Sequence, residues 1–126
     1  MNFKENESAQ KLRGGYYTPF DLAHYLSKWI AETNPSTILE PSCGDGIFLE
    51  SLSSVILGHS SVTAIELDRT EAAIASERAS TFDNLTVNVQ CTDFLEWYLT
   101  VGQKTAQYDA IVGNPPFIRY QYLTKK

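Results

Sequence analysis

Apolar positions along the chain alternate between two periods. Leu22, Tyr25, Leu26, Trp29 and Ile30 recur at helical spacing, and Thr18-Pro19-Phe20-Asp21 stands before them. Thr18 can cap that helix, Pro19 suits its first position, and Asp21 closes a capping box. Asn34-Pro35 ends it. Thr37-Ile38-Leu39 reads as a short buried strand that runs into the turn Glu40-Pro41-Ser42-Cys43-Gly44-Asp45-Gly46. Phe48, Leu49, Leu52, Val55 and Ile56 predict a second amphipathic helix, and Val62 to Glu66 a second strand. Asp68 is placed to cap a third helix, with Glu71 three residues on and Ile74 facing inward. Leu85 to Cys91 reads as a third strand, Phe94 to Leu99 as a short helix or turn, and Tyr108 to Gly113 as a fourth strand. Asn114-Pro115-Pro116-Phe117 closes that strand. Residues 1–15 carry no periodicity and read as a flexible lead, so the folded part is expected over 16–126.

Strands alternating with helices define an α/β chain with a parallel sheet and helices on both faces. Ligands of such folds sit beyond the carboxyl ends of the strands. The conspicuous polar clusters fall at those ends: Glu40 to Gly46, Glu66 to Asp68, Asp93, and Asn114.

Composition narrows the function classes. The chain has 126 residues, 43% of them hydrophobic, enough for one domain with a core. No apolar run approaches the ~20 residues of a membrane span, and the polar start, Met1 to Gln10, is not a secretory signal. Cys43 and Cys91 lie far apart and make neither a disulfide scaffold nor a zinc framework, so a reducing, cytoplasmic setting is expected. His24 and His59 are isolated and no metal-ligand spacing appears. The net charge is −5, and residues 14–118 hold four basic residues against thirteen acidic ones. That body is no phosphate-binding surface; nucleic-acid contact is left to the basic ends or to parts outside this chain.

The loop after the first strand has the pattern Gly44-x-Gly46-x-x-Leu49, one glycine short of a dinucleotide fingerprint. Glu40 and Asp45 flank the glycines; two carboxylates repel a pyrophosphate and suit a ligand with positive charge. A plain capped turn explains the loop equally well. Glu66 ends the second strand 20 residues after Gly46, the spacing at which an acid meets ribose hydroxyls in nucleotide-binding βαβ units. At Asp93-Phe94 a carboxylate can accept from an exocyclic amine and a ring can stack on a base; the plainer alternative makes Asp93 a helix cap and Phe94 core. Asn114-Pro115-Pro116-Phe117 is the sharpest signal. Two prolines cannot continue a ladder. The Asn oxygen beside a rigid proline carbonyl gives two acceptors for one NH2 group, and Phe117 offers a ring to stack on its bearer.

Taken together these motifs resemble the S-adenosylmethionine-dependent N6-adenine DNA methyltransferases. Tyr16-Tyr17-Thr18-Pro19 is similar to the family's N-terminal cofactor motif, Glu40 through Leu49 to its glycine loop, and Ile65-Glu66-Leu67-Asp68 to its ribose motif. Thr92-Asp93-Phe94-Leu95 is similar to the adenine motif and Asn114-Pro115-Pro116-Phe117 to the catalytic tetrad. The resemblance covers residues 16–117, with five motifs in order. Only 21 residues separate Asp93 from Asn114, which resembles the gamma arrangement, with target recognition after the catalytic domain.

The resemblance implies a Rossmann-like methyltransferase fold, present here as four parallel strands of a larger sheet. It implies S-adenosylmethionine as cofactor, bound by Tyr17, Thr18, Pro19, Glu40, Pro41, Ser42, Cys43, Gly44, Asp45, Gly46, Phe48, Glu66, Leu67, Asp93, Phe94 and Asn114. Asn114, Pro115, Pro116 and Phe117 would form the catalytic motif, with the Asn114 side chain and Pro115 carbonyl accepting from the adenine N6 amine and Phe117 stacking on the extruded base. The implied reaction is methylation of the N6 amine of adenine in double-stranded DNA, as in a restriction-modification system. Four strands and no recognition domain imply a fragment, inactive alone, that needs its missing C-terminal half or a complementary chain; the open strand 108–113 invites self-association. Methylation of RNA or of a protein glutamine, and a non-catalytic cofactor- or partner-binding module, remain as alternatives. A nicotinamide-dependent oxidoreductase is a distant third, since Leu49 and the acidic loop oppose a pyrophosphate.

Overall fold

The computed structural model describes residues 20–105 and 107–113. The lead over 1–15, the Thr18 cap, and the segments containing Tyr17 to Pro19 and Asn114 to Phe117 lie outside the described residues. Helix α1 spans Phe20–Ala31, β1 Thr37–Glu40, α2 Ile47–Val55, β2 Ser60–Ile65, α3 Arg69–Ala79 and β3 Leu85–Gln90. A helical segment follows, α4 over Phe94–Trp97, a π turn over Tyr98–Gly102 and a last turn α5 over Gln103–Thr105, before β4 at Ala110–Ile111. None of these helices is long and apolar enough to cross a membrane.

The strands form one parallel sheet in the order β3-β2-β1-β4. Ile38 stands opposite Val62 on one side and Ala110 on the other, which fixes β1 at the centre. Successive strand residues point to opposite faces, so Ile38 and Leu39 enter different cores. On one face Ile38, Val62, Ala64 and Leu85 pack with Ala23 of α1, Phe48, Leu49 and Leu52 of α2, and Ala75 and Ala79 of α3. On the other, Leu39 and Ile65 meet only Trp97, flanked by Phe94 and Tyr108. The expected helices on both faces are present, three on the first and the α4 segment on the second.

The elements begin and end for local reasons. Asp68 caps α3 by accepting from the Glu71 N–H at 2.9 Å, and Asp93 caps α4 by accepting from the Glu96 N–H at 3.0 Å. Asn84 joins the end of α2 to the start of β3: its amide donates to the Ser53 and Ile56 carbonyls and its oxygen accepts from the Ser53 hydroxyl. In the π turn, a Cβ at Gly102 would fall 2.6 Å from the Trp97 ring, so glycine alone lets the indole lie there.

Three expectations are corrected. Ile74 does not face inward: it is 42% exposed, and α3 turns Ala72, Ala75 and Ala79 to the core instead. The cause is close approach, since a Cβ at Gly46 would sit 3.2 Å from the Ala75 Cα, leaving no depth for an isoleucine. The second strand begins at Ser60 and stops before Glu66, whose side chain is drawn into the adjoining loop. The fourth strand is two residues long rather than six. Asp109 interrupts it, because its carboxylate accepts from the Ser36 and Thr37 N–H groups at 2.8 and 3.3 Å and so ties the chains where a ladder would otherwise begin.

Candidate functional site

The carboxyl ends of β1 and β2 converge on one loop, residues 41–46, that leads into α2. Cys43 N–H donates to the Ile65 carbonyl at 2.9 Å, which stitches the loop to the end of β2. Gly44 and Gly46 have φ of +55° and +92°, a backbone that side-chain-bearing residues rarely adopt. Gly46 stands at the N-cap of α2 and supplies no side-chain bond there.

Glu66 governs the loop. Its Oε1 accepts from the Gly44 N–H at 2.8 Å and its Oε2 from the Asp68 N–H at 2.8 Å. One carboxylate thereby holds the glycine turn and the entry to α3 together. Each oxygen keeps a second lone pair for a hydroxyl.

Asp45 is held from two sides. Its Oδ1 accepts from the Ile47 N–H at 3.2 Å, and its Oδ2 lies 3.9 Å from Arg78, which also bonds Glu50 at 3.1 Å. The Arg78 stem runs past Gly46, within 3.5 Å of where a Cβ would stand. Sequence reasoning counted Arg78 only as a charge. Its role depends on α3 crossing the loop, a contact between residues more than thirty apart with no local signal.

Glu40 differs from both acids. It is 2% exposed, and its Oε2 has no hydrogen-bond partner. Burial first, then the charges of Glu66 and Asp45, hold its carboxyl well above the usual carboxylate range. The same burial, with Glu40 and Glu66 beside it, pushes the Cys43 thiol far up, so Cys43 is neutral packing and no nucleophile.

The remaining candidates divide. Pro41 and Ser42 are half-buried in the loop, and Leu67 is 68% exposed beside Glu66, an apolar surface at the mouth of the site. Phe48, expected among the ligand-facing residues, points the other way: it is buried among Leu49, Leu52 and Ile38, because the α2 face that carries it packs on the sheet. Asp93 is the cap that the plainer reading gave it, through Oδ2. Phe94 joins the Trp97 cluster, 5.8 Å from that ring between centroids. Gly113, the last residue described, lies against the loop: a Cβ there would stand 3.5 Å from Pro41 Cδ and 3.6 Å from Glu40 Cγ. Among the described residues no three His, Cys, Asp or Glu side chains gather as a metal site.

This arrangement can hold a ligand by hydroxyl groups at Glu66, by an apolar surface at Leu67 and by positive charge at Glu40. Known proteins match the chain. The family model described as "N-6 DNA Methylase" matches residues 2–126. The type II methyltransferase M.HincII of Haemophilus influenzae is 31% identical over 120 residues, covering 95% of this chain and 20% of that protein. A tRNA1(Val) (adenine(37)-N6)-methyltransferase of an Enterobacter species is 34% identical over 93 residues, covering 73% of this chain and 37% of that protein. Among solved structures, an O-methyltransferase of Bacillus cereus in complex with SAH superposes with a TM-score of 0.62 at 19% identity, over 87% of this chain and 50% of that one.

Proposed function

The chain belongs to the N-6 DNA methylase family, and from that premise we propose that it is the cofactor-binding and catalytic part of an enzyme that methylates the N6 amine of adenine in DNA. The observation that carries the reading is the Glu66 carboxylate gripping the glycine loop at the carboxyl ends of the central strands, with buried Glu40 behind it. The chain spans about a fifth of the length of the type II methyltransferase it matches. Activity, substrate and partners of a longer protein are therefore part of the proposal, including its place in a restriction-modification system.

The residues present suit S-adenosylmethionine, which supplies a methyl group on a positively charged sulfur. Glu66 would accept from the ribose hydroxyls with its free lone pairs, and Asp93, whose Oδ1 has no partner among the described residues, from the adenine amine. Leu67 and Phe94 would flank the adenine ring. The loop over Glu40 to Gly46, with Tyr17, Thr18 and Pro19, would meet the methionine end; Asp45 acts through Arg78 and Ile47 by shaping the turn. The Asn114 side chain and Pro115 carbonyl would accept from the target amine, which frees its nitrogen lone pair from the ring. Pro116 would stiffen the turn and Phe117 stack on the base. The gain is chiefly alignment of amine and methyl group. β4, Ala110–Ile111, is the proposed edge for the rest of the catalytic sheet, for a complementary chain or for a second copy.

Replacing Asn114 by Ala in the full-length protein tests the reading. We expect methylation of adenine-containing duplex DNA to fall below detection, with cofactor binding retained; turnover at the wild-type rate contradicts it. A second reading is favoured by the 34% identity to the tRNA methyltransferase. A panel of duplex DNA, tRNA and glutamine peptides separates the substrates, and methylation of tRNA alone replaces the DNA reading. Cofactor binding without turnover on any of them, in the full-length protein, identifies a non-catalytic module.

A further inference from the structure

Of the three acids at the loop, two are engaged. Both Glu66 oxygens accept backbone N–H groups, and Asp45 is held by Ile47 and Arg78. Glu40 alone has a buried oxygen without a partner. Among the described residues no cation compensates it. The charged groups that act on it are Glu66, from the end of β2, and Asp45, from the loop. The Cys43 thiol nearby is neutral, and the end of β4 brings Gly113 against its stem, a residue with nothing to titrate. A carboxylate removed from water, facing two like charges and with one oxygen that meets no donor among the described residues, is favoured as the neutral acid. A ligand whose end carries positive charge reverses that balance, because attraction across a short distance in a water-poor site favours the ionised form.

We propose that Glu40 carries a proton while the loop is empty and releases it to solvent when the positively charged end of the ligand enters, so that the site exchanges a proton for a cation. This rests on the reading that the loop binds S-adenosylmethionine, and it adds a proton linkage and a reason for the loop to admit cations. By linkage, affinity rises with pH wherever the empty site holds the proton and the occupied site does not, up to about tenfold per pH unit.

The test is calorimetric titration of the full chain with S-adenosylmethionine at pH 6, in two buffers of different ionisation enthalpy. At that pH the amino group of the ligand is already protonated, its ordinary pKa being about 7.7–8.0. Released protons are therefore the protein's. We expect close to one proton released per ligand bound, and none from Glu40→Gln. Equal heats in both buffers, with the ligand bound, overturn the proton exchange and leave the cofactor reading intact. Undiminished release from Glu40→Gln also overturns it. Absence of binding by a folded chain at any pH removes the cofactor reading and the exchange together. Should the variant not fold, the Glu40 carboxyl carbon followed by NMR in the wild-type chain decides the same point. It is expected protonated in the free protein at pH 6 and ionised at saturation; an ionised signal in the free protein overturns the proposal.

Discussion

One face of the sheet carries three helices over Ile38, Val62, Ala64 and Leu85, while among the described residues the opposite face carries the α4 segment alone, at one corner. The strands show this in their side chains. β3 turns Leu85, Val87 and Val89 to the helical face, with Thr86 and Asn88 exposed on the other. Parallel sheets are ordinarily covered on both faces, and the described residues cover the second only over Leu39 and Ile65. Beyond them Tyr98, Tyr108 and Ile111 border an open groove, with Ile111 67% exposed. The glycine loop stands on the well-packed side: Phe48 and Leu49 lie in the core just after it, and Ala75 and Arg78 close over Gly46. The glycine-loop corner is therefore built from contacts within this chain, whereas among the described residues the β4 corner is anchored by one short ladder and Asp109.

The contrast is sharpened first by truncation. Leu52→Ala, fully buried on the helical face, should cost about 2–5 kcal/mol in denaturant unfolding. Ile111→Ala, on the open face, should stay within about 0.5 kcal/mol. Equal losses at the two positions would abolish the distinction. Gly46→Ala comes next. A side chain at φ +92° against Ala75 should cost about 1–2 kcal/mol from conformation alone, with cofactor affinity falling as the turn opens. Unchanged affinity in that variant would detach the loop geometry from binding.

The third effect is a pH slope. The folded pKa of Glu40 is raised above that of the unfolded chain, about 4.3. The empty native state thus holds more protons than the unfolded state between those two values. Its stability relative to Glu40→Gln should fall as pH rises through that window, by up to about 1.4 kcal/mol per pH unit, and level off above it. Thermal unfolding of both proteins across pH 4–8 measures this, and a flat difference would show Glu40 ionised in the empty fold. Smallest is Arg78→Met. The ion pairs are partly exposed, so stability should drop by less than about 1 kcal/mol and the difference should shrink in high salt.

Element order and strand direction were legible from apolar periodicity, and the Asp68 cap from its spacing to Glu71, while a cap at Asp93 was the plainer of two readings. The carboxyl-end clusters named Glu40, Asp45 and Glu66 correctly as neighbours of one loop. What stayed hidden depends on tertiary approach. Nothing around Ile74 tells that α3 comes too close to Gly46 for a large side chain. Arg78, Asn84 and Asp109 act across 28 to 73 residues, on partners that no local pattern names. Phe48 has the same helical phase as core residues, and only its proximity to the motif drew it toward the site. That Glu40 is buried while Glu66 stays bonded to backbone is likewise a property of the folded loop.

The most direct test of the account is titration of the chain with S-adenosylmethionine and, separately, with a nicotinamide dinucleotide, repeated on Glu66→Ala and Asp93→Ala. The account predicts saturable binding of S-adenosylmethionine, weakened at least tenfold by Glu66→Ala and less by Asp93→Ala, and no binding of the dinucleotide. Binding of the dinucleotide, or of neither ligand by a folded chain, would contradict it.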